Sequence, residues 1–579
     1  MTDFDYDVII VGSGFGGSAA AMRATEKGYH VGVMEAGRRF LDSDIPETSW
    51  NVKKFVWQPE VELFGMQRIE YLEDVLVLSG SGVGGGSNTY ANTLYVPPTH
   101  VWDNPLISGL ADWAAELSPH YDQAQRMLGV VRGPYMESDP DRLLREVAAD
   151  MGRPEAYSRP PMGIYFGTPG VEVDDPYFGG VGPRRSGCIS CGNCMIGCGY
   201  GAKNKTTENY LYLAEKFGAD VHEFTEVRGI DPLPDGGYRV TTYHPGLKRL
   251  FGRDKHFTAE QVIVSAHAYG TAKILLHMKE AGRLPNLSDR LGRYARTNSE
   301  SLLSIFLTHE EWSEHPERFH ITPAGASVTS AISPDEYTFL GDVKYGKGSD
   351  IMALLYTYHY EGKDEEHLKG WLKHLIHHPF KTLAMDDARD WSRRSFNLLA
   401  MQDVENHIDL YWEHGRVRSK HDPGQEMPPV PPIVNETAHR LADKLGGHVA
   451  GEMFEVAGRS ASAHFMGGVL AGDSPETGVT DPYQRAFNYP GLHVMDGSNV
   501  PVNLGRNPSL TIAAMTERAM SFWPNKGDDD TRPPLGSGYE QIPGVMPHRP
   551  IVPAGAPGEL RWDVTDAHDP PPLKGQGSI

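Results

Sequence analysis

Four cysteines lie within eleven residues of this 579-residue chain, and the sequence contains no others: Cys188, Cys191, Cys194 and Cys198. Their C-x2-C-x2-C-x3-C spacing is typical of iron–sulfur ligands, because thiolates in one tight loop can wrap a corner of the cluster. Structural zinc usually takes ligand pairs separated by a longer spacer. The run therefore predicts a [4Fe–4S] cluster, with zinc and free thiols as alternatives. Nearby cations that could balance an anionic cluster are Arg184, Arg185, Lys203 and Lys205.

A glycine-rich turn near the start of the chain has the spacing of a dinucleotide-binding motif. The apolar run Tyr6–Gly12 leads into G-x-G-x-x-G, then into a helical stretch and a second apolar run that ends at Glu35. Such glycines allow a tight turn, a close approach to pyrophosphate and packing of the helix on the strand, and the acid accepts from a ribose hydroxyl. The predicted cofactor contacts here are Gly12, Gly14, Phe15, Gly16, Gly17 and Glu35.

A second glycine run, G-V-G-G-G-S-N at 82–88, indicates which dinucleotide is bound. A nicotinamide cofactor has no evident need for a second backbone surface. FAD is longer, and its ribityl and isoalloxazine parts need a loop without bulk. A flexible loop is the alternative interpretation of this run taken alone. The further predicted FAD contacts are Gly82, Gly84, Gly85, Ser87, Asn88 and Asn92.

A third element near the C-terminus combines a strand end with a helix start. The strand-like run ends at Asp496-Gly497, and Asn507-Pro508 reads as an N-cap followed by proline at the first helical position. The N-terminus of that helix could stabilise negative charge on a reduced flavin. Upstream, His464 precedes a Gly-Gly pair, and by itself such a histidine is more often structural than catalytic. The predicted FAD contacts added here are Asp496, Gly497, Asn507, Pro508 and Ser509. A separate contact, Val227 at the end of the segment His222–Val227, is expected near the adenine.

These motifs occur in the order seen in the GMC (glucose–methanol–choline) flavin oxidoreductases. The chain resembles in particular the actinobacterial cholesterol oxidases of that family, along essentially its whole length. The similar segments include T-N-S-E-S at 297–301, Y-G-K-G-S at 345–349 and W-P-N-K-G at 523–527. The resemblance implies an α/β fold class, with a Rossmann-type FAD-binding domain and an α+β substrate domain built on a mixed sheet.

The resemblance also implies roles for individual residues. The family histidine, here His464, accepts the alcohol proton while hydride leaves the carbinol carbon for flavin N5, and Asn507 fixes the orientation. In bacterial sterol oxidases a glutamate moves the ring double bond; its nearest match is Asp350, which is shorter by a methylene. Some relatives anchor FAD through a histidine near the second glycine run. No histidine occurs between Glu70 and Pro98, so we expect FAD to be non-covalent.

Composition favours a large enzyme and argues against several other classes. The 54 basic and 76 acidic residues give a net charge of −22, which disfavours nucleic acid as a partner. No hydrophobic stretch reaches the roughly 18 residues of a transmembrane helix, and the chain begins almost directly in its first strand. We therefore expect a cytoplasmic protein.

One basic, amphipathic segment, 367–381, suggests peripheral membrane contact. Its Leu368, Trp371, Leu372 and Leu375 can share one helix face. A domain helix with a solvated face is the alternative interpretation.

The motifs predict a discontinuous organisation without internal repeats. The FAD-binding domain would include the third strand at Gln261–Ser265, and the Pro/Gly-rich tail would wrap the surface or stay disordered. The predicted segments are 1–100, 200–300 and 445–527 for the FAD-binding domain, 101–180 and 300–445 for the substrate domain, 181–205 for the cysteine insert and 528–579 for the tail.

The sequence thus predicts FAD-dependent oxidation of a hydrophobic secondary alcohol, in particular a 3β-hydroxysterol such as cholesterol. The electron acceptor is O2 or a redox carrier. One alternative is a dehydrogenase that passes electrons through the cluster to the carrier. The other is a flavin/iron–sulfur redox sensor with little turnover, which the presence of both His464 and Asn507 disfavours.

Overall fold

The fold is built on β-sheets with helices packed against them, in a computed structural model that describes most of the chain. The described residues are 4–133, 136–250, 252–319, 325–359, 367–377, 387–425 and 430–562. Their α-helices are α1 (Phe15–Glu26), α2 (Val52–Phe55), α3 (Trp113–Met127), α4 (Asp139–Asp150), α5 (Tyr210–Lys216), α6 (Ala268–Glu280), α7 (His309–Glu314), α8 (His367–His377), α9 (Trp391–Arg394), α10 (Pro432–Leu445) and α11 (Ser509–Ser521). None of these described helices is long and apolar enough to cross a membrane.

The first sheet has a parallel centre and an antiparallel edge. In spatial order its strands are Asp220–His222, Val31–Met34, Tyr6–Val11, Lys255–Val264, Tyr238–Tyr243 and Glu226–Pro232, and Leu492–Val494 pairs beside the 255–264 strand. The pairings around the first strand are parallel, and those of the last two strands are antiparallel. The third strand expected at 261–265 is the end of the 255–264 strand. This is the arrangement of a doubly wound dinucleotide-binding sheet.

Alternate residues of the first strand supply two separate cores. Val8 and Ile10 pack on one side with helices α1, α3, α5 and α11. Ile9 and Val11 pack on the other side with helix α6. A parallel strand that is covered on both faces has no solvent side, so its sequence is a continuous apolar run rather than an alternating one.

The second sheet is antiparallel throughout its seven strands. In spatial order they are Tyr356–Tyr358, His448–Glu452, Ser301–Phe306, Ser395–Gln402, Thr338–Val343, Ala331–Ile332 and Tyr157–Ser158. Helices α4 and α10 pack against it. We expected a mixed sheet here, whereas all its strand pairings are antiparallel. A short return joins neighbours such as the 331–332 and 338–343 strands, and parallel neighbours would need a longer crossover connection.

A third sheet ends, at one edge, next to both the second glycine run and His464. Its strands are Ser460–Ser462, Val75–Gly80, Gln67–Tyr71, Val56–Gln58 and Leu63–Phe64. The 460–462 strand runs parallel to the 75–80 strand. Parallel strands end at the same edge, so the second glycine run and His464 leave the sheet on the same side.

Short strand pairs and the C-terminal segment complete the described structure. The pairs are Val130–Val131 with Met162–Gly163, Glu172–Val173 with Arg185–Ser186, Ala295–Arg296 with Met466–Gly467, and Asp409–Glu413 with Arg416–Lys420. The polar tail follows the surface of the first sheet's helices up to residue 562. Lys27 Nζ donates to the Val545 carbonyl at 2.8 Å, and Ile551 N donates to Glu26 Oε1 at 2.9 Å. Residues 563–579 lie outside the described ranges.

Helix α8 turns a different face outward from the one that we expected. Trp371 faces the protein, where its Nε1 donates to a threonine hydroxyl of the 356–358 strand at 3.1 Å. Leu368, Leu372 and Ile376 are 53%, 42% and 74% exposed. Their spacing of four residues forms one outward stripe. The predicted grouping of Trp371 and Leu375 with Leu368 and Leu372 therefore differs from the structure.

The predicted domain boundaries stay a prediction. The first sheet takes its strands from residues 6–34, 220–264 and 492–494, all within segments assigned to the FAD-binding domain. The strand His448–Glu452 falls in one of those segments but pairs in the second sheet.

Candidate active site

The first glycine turn leaves a backbone surface open at the start of helix α1. Gly12 has φ +99°, and a Cβ there would lie 2.3 Å from the Ser265 carbonyl oxygen. A Cβ on Gly17 would lie 2.1 Å from the Gly12 carbonyl oxygen. At Gly14, by contrast, nothing lies within 4 Å of the Cβ position. Two glycines thus let backbone pack on backbone, and the third opens space before a helix N-terminus, where an anion is favoured.

Two further residues of the turn connect it to distant parts of the chain. A Cβ on Gly16 would lie 2.0 Å from the Met495 carbonyl oxygen, next to the predicted Asp496-Gly497 contacts. The Phe15 ring lies edge-on to Tyr90, with 5.2 Å between the ring centroids. The first turn is therefore in contact with both of the other predicted FAD elements.

Glu35 lies beside the first glycine turn at the end of its strand. Its carboxylate accepts from Ser13 Oγ at 2.6 Å and from Gly37 N at 2.9 Å. Burial raises the pKa of Glu35, and these hydrogen bonds oppose the rise. The Glu35 carbonyl accepts from Thr225 N at 2.8 Å, so Val227 follows on the adjacent segment, where we expected the adenine.

The second glycine run lies directly against the first. Gly84 N donates to Ser13 Oγ at 3.0 Å, and Ser87 Oγ donates to the Gly84 carbonyl at 2.7 Å. A Cβ on Gly85 would lie 2.8 Å from the Gly14 Cα. The two loops thus form one continuous surface that a long dinucleotide can follow. The other predicted contacts in this loop are Gly82, Asn88 and Asn92.

The C-terminal element presents a helix N-terminus beside a buried acid. The Asp496 carboxylate accepts from Ser498 N at 2.8 Å and from Thr271 Oγ1 at 2.5 Å. Burial raises the pKa of Asp496. Helix α11 begins at Ser509, so Pro508 holds the N-cap position rather than the first helical position that we expected. Gly497 lies in the short turn that follows Asp496.

His464 stands between an amide and a carboxylate. Asn507 Nδ2 lies 3.0 Å from His464 Nε2, and Glu300 Oε2 lies 3.0 Å from His464 Nδ1. The Glu300–His464 contact lies within ion-pair distance, but it does not have the alignment of a hydrogen bond. The imidazole is 11% exposed and the carboxylate 1% exposed. Because the amide donates to Nε2, that nitrogen carries the lone pair and Nδ1 carries the proton that faces Glu300.

Glu300 also holds the backbone of the histidine turn. Its Oε2 accepts from Ala463 N at 2.9 Å and from His464 N at 3.1 Å. The same carboxylate therefore positions both the main chain and the ring of His464. Sequence reasoning missed this residue, although it belongs to the T-N-S-E-S segment that carries the family resemblance.

Asn298, two residues earlier, holds the loop that leads to Asn507. Its Oδ1 accepts from Leu504 N at 3.0 Å and from Gly505 N at 2.9 Å. The amide is fully buried. One turn thus fixes both residues that were predicted to act on the substrate. Sequence reasoning missed Asn298 as well, because no local pattern shows what a buried turn binds.

Asp350, the third predicted catalytic residue, makes its contact elsewhere. Its Oδ1 accepts from Ser392 N at 2.9 Å, and the residue opens the short 3-10 turn Asp350–Leu355. The carboxylate that the structure brings to His464 is that of Glu300.

The four cysteines of the run line one half-buried cavity, together with Asn92 and Lys203. Burial raises the pKa of Cys188 to about 12 and of Cys191 to about 11, and the neighbouring thiols add to both shifts. Within the described residues, no group of three or more His, Cys, Asp or Glu side chains is arranged to hold a metal ion. Cys188, Cys191, Cys194 and Cys198, which we predicted as metal ligands, are therefore not arranged around a single ion in the described structure.

Lys203 connects the cysteine cavity with the second glycine loop. Its Nζ donates to the carbonyls of Asn88 at 2.9 Å, Tyr90 at 2.7 Å and Cys194 at 2.9 Å. The side chain is 1% exposed, and burial lowers its pKa to about 7. The sequence identified this lysine only as a cation near the cysteines. In the structure it is buried and connects the second glycine loop with Cys194 through hydrogen bonds.

The residues around the two glycine loops fit FAD. At Gly14 and Gly86 nothing lies within 4 Å of the Cβ position, so the backbone of both loops is open to a ligand. Asn92 is fully buried, and neither its Oδ1 nor its Nδ2 has a hydrogen-bond partner. A buried amide with nothing to bind indicates a missing polar neighbour.

Comparisons with known proteins concern the family of the chain as a whole rather than single residues. Residues 379–516 match the family model described as GMC oxidoreductase, and residues 7–41 match the FAD binding domain. The chain is 45% identical over 583 aligned positions to a cholesterol oxidase of Mycobacterium tuberculosis (strain H37Rv), covering 96% of this chain and 98% of the relative. It is 39% identical over 545 positions to a cholesterol oxidase of Acinetobacter baumannii, covering 91% and 96%.

Solved structures confirm the predicted fold class. A pyridoxine 4-oxidase from Mesorbium loti superposes with a TM-score of 0.54 at 13% identity, covering 89% of this chain and 98% of the other. A fungal aryl-alcohol oxidase superposes with a TM-score of 0.52 at 13% identity, covering 90% and 98%. At such low identity the likeness concerns the fold alone.

Acid precipitation of the purified protein should release FAD into the supernatant. The reason is that no histidine is available beside the second glycine run, between Glu70 and Pro98. The measurement is the absorbance of pellet and supernatant, with chromatographic identification of the released flavin. Flavin that stays with the pellet would demonstrate a covalent bond, and released FMN would contradict the dinucleotide.

Two alanine substitutions in the first turn should separate folding from cofactor binding. Gly17→Ala places a methyl group on a backbone carbonyl that cannot move, so we expect the free energy of unfolding to fall by about 1–3 kcal/mol. Gly14→Ala places its methyl group in open space at an N-cap, so the apoprotein should lose less than about 1 kcal/mol. FAD affinity should nevertheless drop, because that space faces the pyrophosphate.

Denaturant unfolding of the two apoproteins and FAD titration by flavin fluorescence provide the measurements. Full FAD affinity in the folded Gly14→Ala protein would contradict the placement of the pyrophosphate.

Proposed function

This chain belongs to the GMC oxidoreductase family, and on that premise we propose that it is an FAD-dependent oxidase of a hydrophobic secondary alcohol, a 3β-hydroxysterol such as cholesterol. Two relatives that match more than nine-tenths of the chain are both called cholesterol oxidases. The balanced reaction converts the secondary alcohol and molecular oxygen into the ketone and hydrogen peroxide. The observation that carries the proposal is the contact of His464 Nε2 with Asn507, with Glu300 behind the ring.

The proton of the alcohol goes to His464 in this proposal. Nε2 carries the lone pair, because Nδ1 faces the Glu300 carboxylate at 3.0 Å. Once Nε2 accepts the proton, the ring is a cation beside a buried carboxylate, and the pair stabilises the charge where it forms. Glu300 is thus a positioning residue, which acts on the substrate only through the histidine.

Asn507 orients the reacting alcohol. Its Nδ2 lies 3.0 Å from Nε2 of the histidine, so a hydroxyl that replaces this contact meets one donor and one acceptor. This pair sets the distance and angle at which the oxygen is held. When bound, FAD supplies the acceptor for the hydrogen and electron pair of the carbinol carbon. The open N-terminus of helix α11, next to Asn507, favours negative charge at that end of the site.

We assign no step to Asp350, since its carboxylate is committed to the Ser392 backbone at 2.9 Å. The isomerisation of the sterol ring double bond therefore has no assigned base in this proposal. A redox sensor with little turnover is disfavoured, because a sensor has no use for a histidine that is held by a carboxylate and an amide together.

A substrate that is insoluble in water has to be reached in a membrane, and helix α8 offers a surface for this purpose. Its outward stripe consists of Leu368, Leu372 and Ile376, which are more than two-fifths exposed. Lys369 and Lys373 are exposed on the same helix, although the chain carries a net charge of −22. Apolar insertion flanked by lysines suits an anionic lipid surface. We propose peripheral docking of α8 on such a membrane.

We also propose a cytoplasmic location. All four cysteines are gathered in one run, so the chain has no disulfide framework, which is the cysteine usage of reducing compartments.

Replacing the three polar residues of the site should stop turnover without loss of FAD. His464→Ala and Asn507→Ala should lower the rate of flavin reduction by sterol by roughly 10²–10⁴-fold. Glu300→Gln should lower kcat by up to about 10⁴-fold with KM little changed, because an amide no longer selects the tautomer or stabilises the cationic ring. Stopped-flow flavin bleaching and steady-state peroxide release give the two readouts.

The matched control is Glu310→Gln, an exposed glutamate on helix α7. If Glu300→Gln raises KM and leaves kcat unaltered, its role is structural. If His464→Ala reduces its flavin at the wild-type rate, another group is the base.

The double variant Leu372→Ser/Ile376→Ser should weaken binding to anionic vesicles by more than about tenfold, since each side chain loses apolar burial of about 1.5–3 kcal/mol. Co-sedimentation with phosphatidylserine-containing and purely zwitterionic vesicles measures this. Leu247→Ser, at a half-exposed leucine outside the helix, is the control. Equal pelleting of all three proteins would leave α8 as an ordinary domain helix.

A further inference from the structure

The proposed oxidation uses none of the four cysteines, although they are the most unusual pattern in the chain. All four thiols line one cavity, which also has Asn92 and Lys203 in its wall. Each cysteine is partly buried, and none forms a disulfide. The wall of the cavity includes Asn92, a predicted FAD contact, and Gly325, which precedes the Ala331–Ile332 strand of the second sheet, so the cavity adjoins the predicted flavin site.

We propose that Cys188, Cys191, Cys194 and Cys198 hold an iron–sulfur cluster of the [4Fe–4S] type in this cavity. The irons of such a cluster stand apart and each takes one thiolate, so the ligands must surround a volume. Zinc needs four ligands that converge on a point. Within the described residues no three such side chains are placed to hold a single ion, and the four thiols instead line the wall of one cavity. A cluster is compatible with that lining, because its irons bind thiolates at separated points.

The amide of Asn92, which we also expect near FAD, lies in the wall of the same cavity. The side chain is fully buried, and both its amide oxygen and its amide nitrogen lack a hydrogen-bond partner. Its backbone has φ +66°, in the left-handed region that non-glycine residues rarely adopt. A strained, buried amide without a partner is costly unless a ligand accepts its N–H groups, as cluster sulfides do.

Lys203 would supply positive charge at the same wall when an anion occupies the cavity, because burial alone lowers the pKa of this amine. Its Nζ donates to three carbonyls, including that of Cys194 at 2.9 Å, and none of these acceptors is an acid. A buried ammonium ion that donates only to carbonyls is expensive, whereas an anionic cluster nearby offsets that cost. The lysine therefore fits a cavity whose occupant carries negative charge.

The same lysine places the cavity on a path from the flavin site to the surface. Two of its acceptors, Asn88 and Tyr90, belong to the second glycine loop, and Tyr90 touches Phe15 of the first turn. On the outer side, Tyr200 of the cavity wall is 51% exposed. A cluster here would lie between FAD and an external partner.

We therefore infer an electron outlet, which rests on the proposed alcohol oxidation. When a one-electron carrier replaces O2 as the acceptor, one secondary alcohol and two oxidised carrier molecules give one ketone, two reduced carriers and two protons. The substrate gives up two electrons and two protons. A cluster held by the four thiols would pass these electrons on one at a time, and both protons would pass to solvent.

The test begins with anaerobically purified full-length protein. Chemical analysis should find roughly four irons and four acid-labile sulfides per chain, and reduction with dithionite should produce a paramagnetic signal by EPR. Cys191→Ser should lose iron and sulfide while it keeps FAD. Ser190→Gly is the matched control, because it alters the same loop at φ +58° without removing a thiol. Zinc without sulfide, or four free thiols that react with a thiol reagent in the native protein, would overturn the proposal.

The electron outlet has a separate readout. With ferricyanide as the acceptor, Cys191→Ser should lower steady-state turnover by at least about tenfold, while the single-turnover rate of flavin reduction by sterol stays at the control value. Equal ferricyanide turnover in both proteins would refute the outlet but not the cluster. A cluster-containing protein whose FAD no sterol reduces would refute the proposed oxidation and leave the metal site standing.

Discussion

Two side chains of one buried turn hold both halves of the active site, and the remaining geometry depends on them. Glu300 binds the 463–464 backbone and faces the His464 ring, while Asn298 binds the loop that ends at Asn507. The turn itself is strained, because Asn298 and Ser299 have φ values of +61° and +43° without being glycine. Such a conformation costs about 1–3 kcal/mol per residue and persists only where surrounding contacts determine it. Here the contacts that determine the turn are the same ones that align His464 and Asn507, the two residues that we propose act on the substrate.

The sequence predicted the parts of the site that are local in the chain. The glycine pattern could be interpreted from the sequence alone, because each glycine has a local cause: Gly12 adopts a positive φ and Gly17 has no room for a side chain. The partners of His464 could not be predicted in the same way, because Glu300 reaches it from another sheet and no spacing rule links the two. Helix α8 shows a related limit. Helical periodicity groups apolar residues, but only the packing of Trp371 on its neighbouring strand reveals which group faces solvent.

The segment that contains the cysteines joins the two main parts of the molecule. Ser327 Oγ, which precedes the Ala331–Ile332 strand of the second sheet, donates to the Gly192 carbonyl at 3.0 Å, and Lys203 Nζ donates to the Tyr90 carbonyl beside the second glycine run. Direct hydrogen bonds thus connect the cysteine segment both with the second glycine run and with residues next to the second sheet.

The close contact between Gly16 and the Met495 carbonyl has a consequence for how the chain is made. The nucleotide turn leaves the ribosome early, yet the Met495 backbone that it packs against leaves it late, after the strand Leu492–Val494 that pairs with the 255–264 strand. The two partners of the first strand, Val31–Met34 and Lys255–Val264, are made before that, so the free edge of the 255–264 strand is what stays open longest. Such an unpaired edge is prone to aggregation. Contacts of such high sequence separation also form slowly. The backbone surface that combines the first glycine turn with residue 495 is therefore complete only after most of the chain has been made.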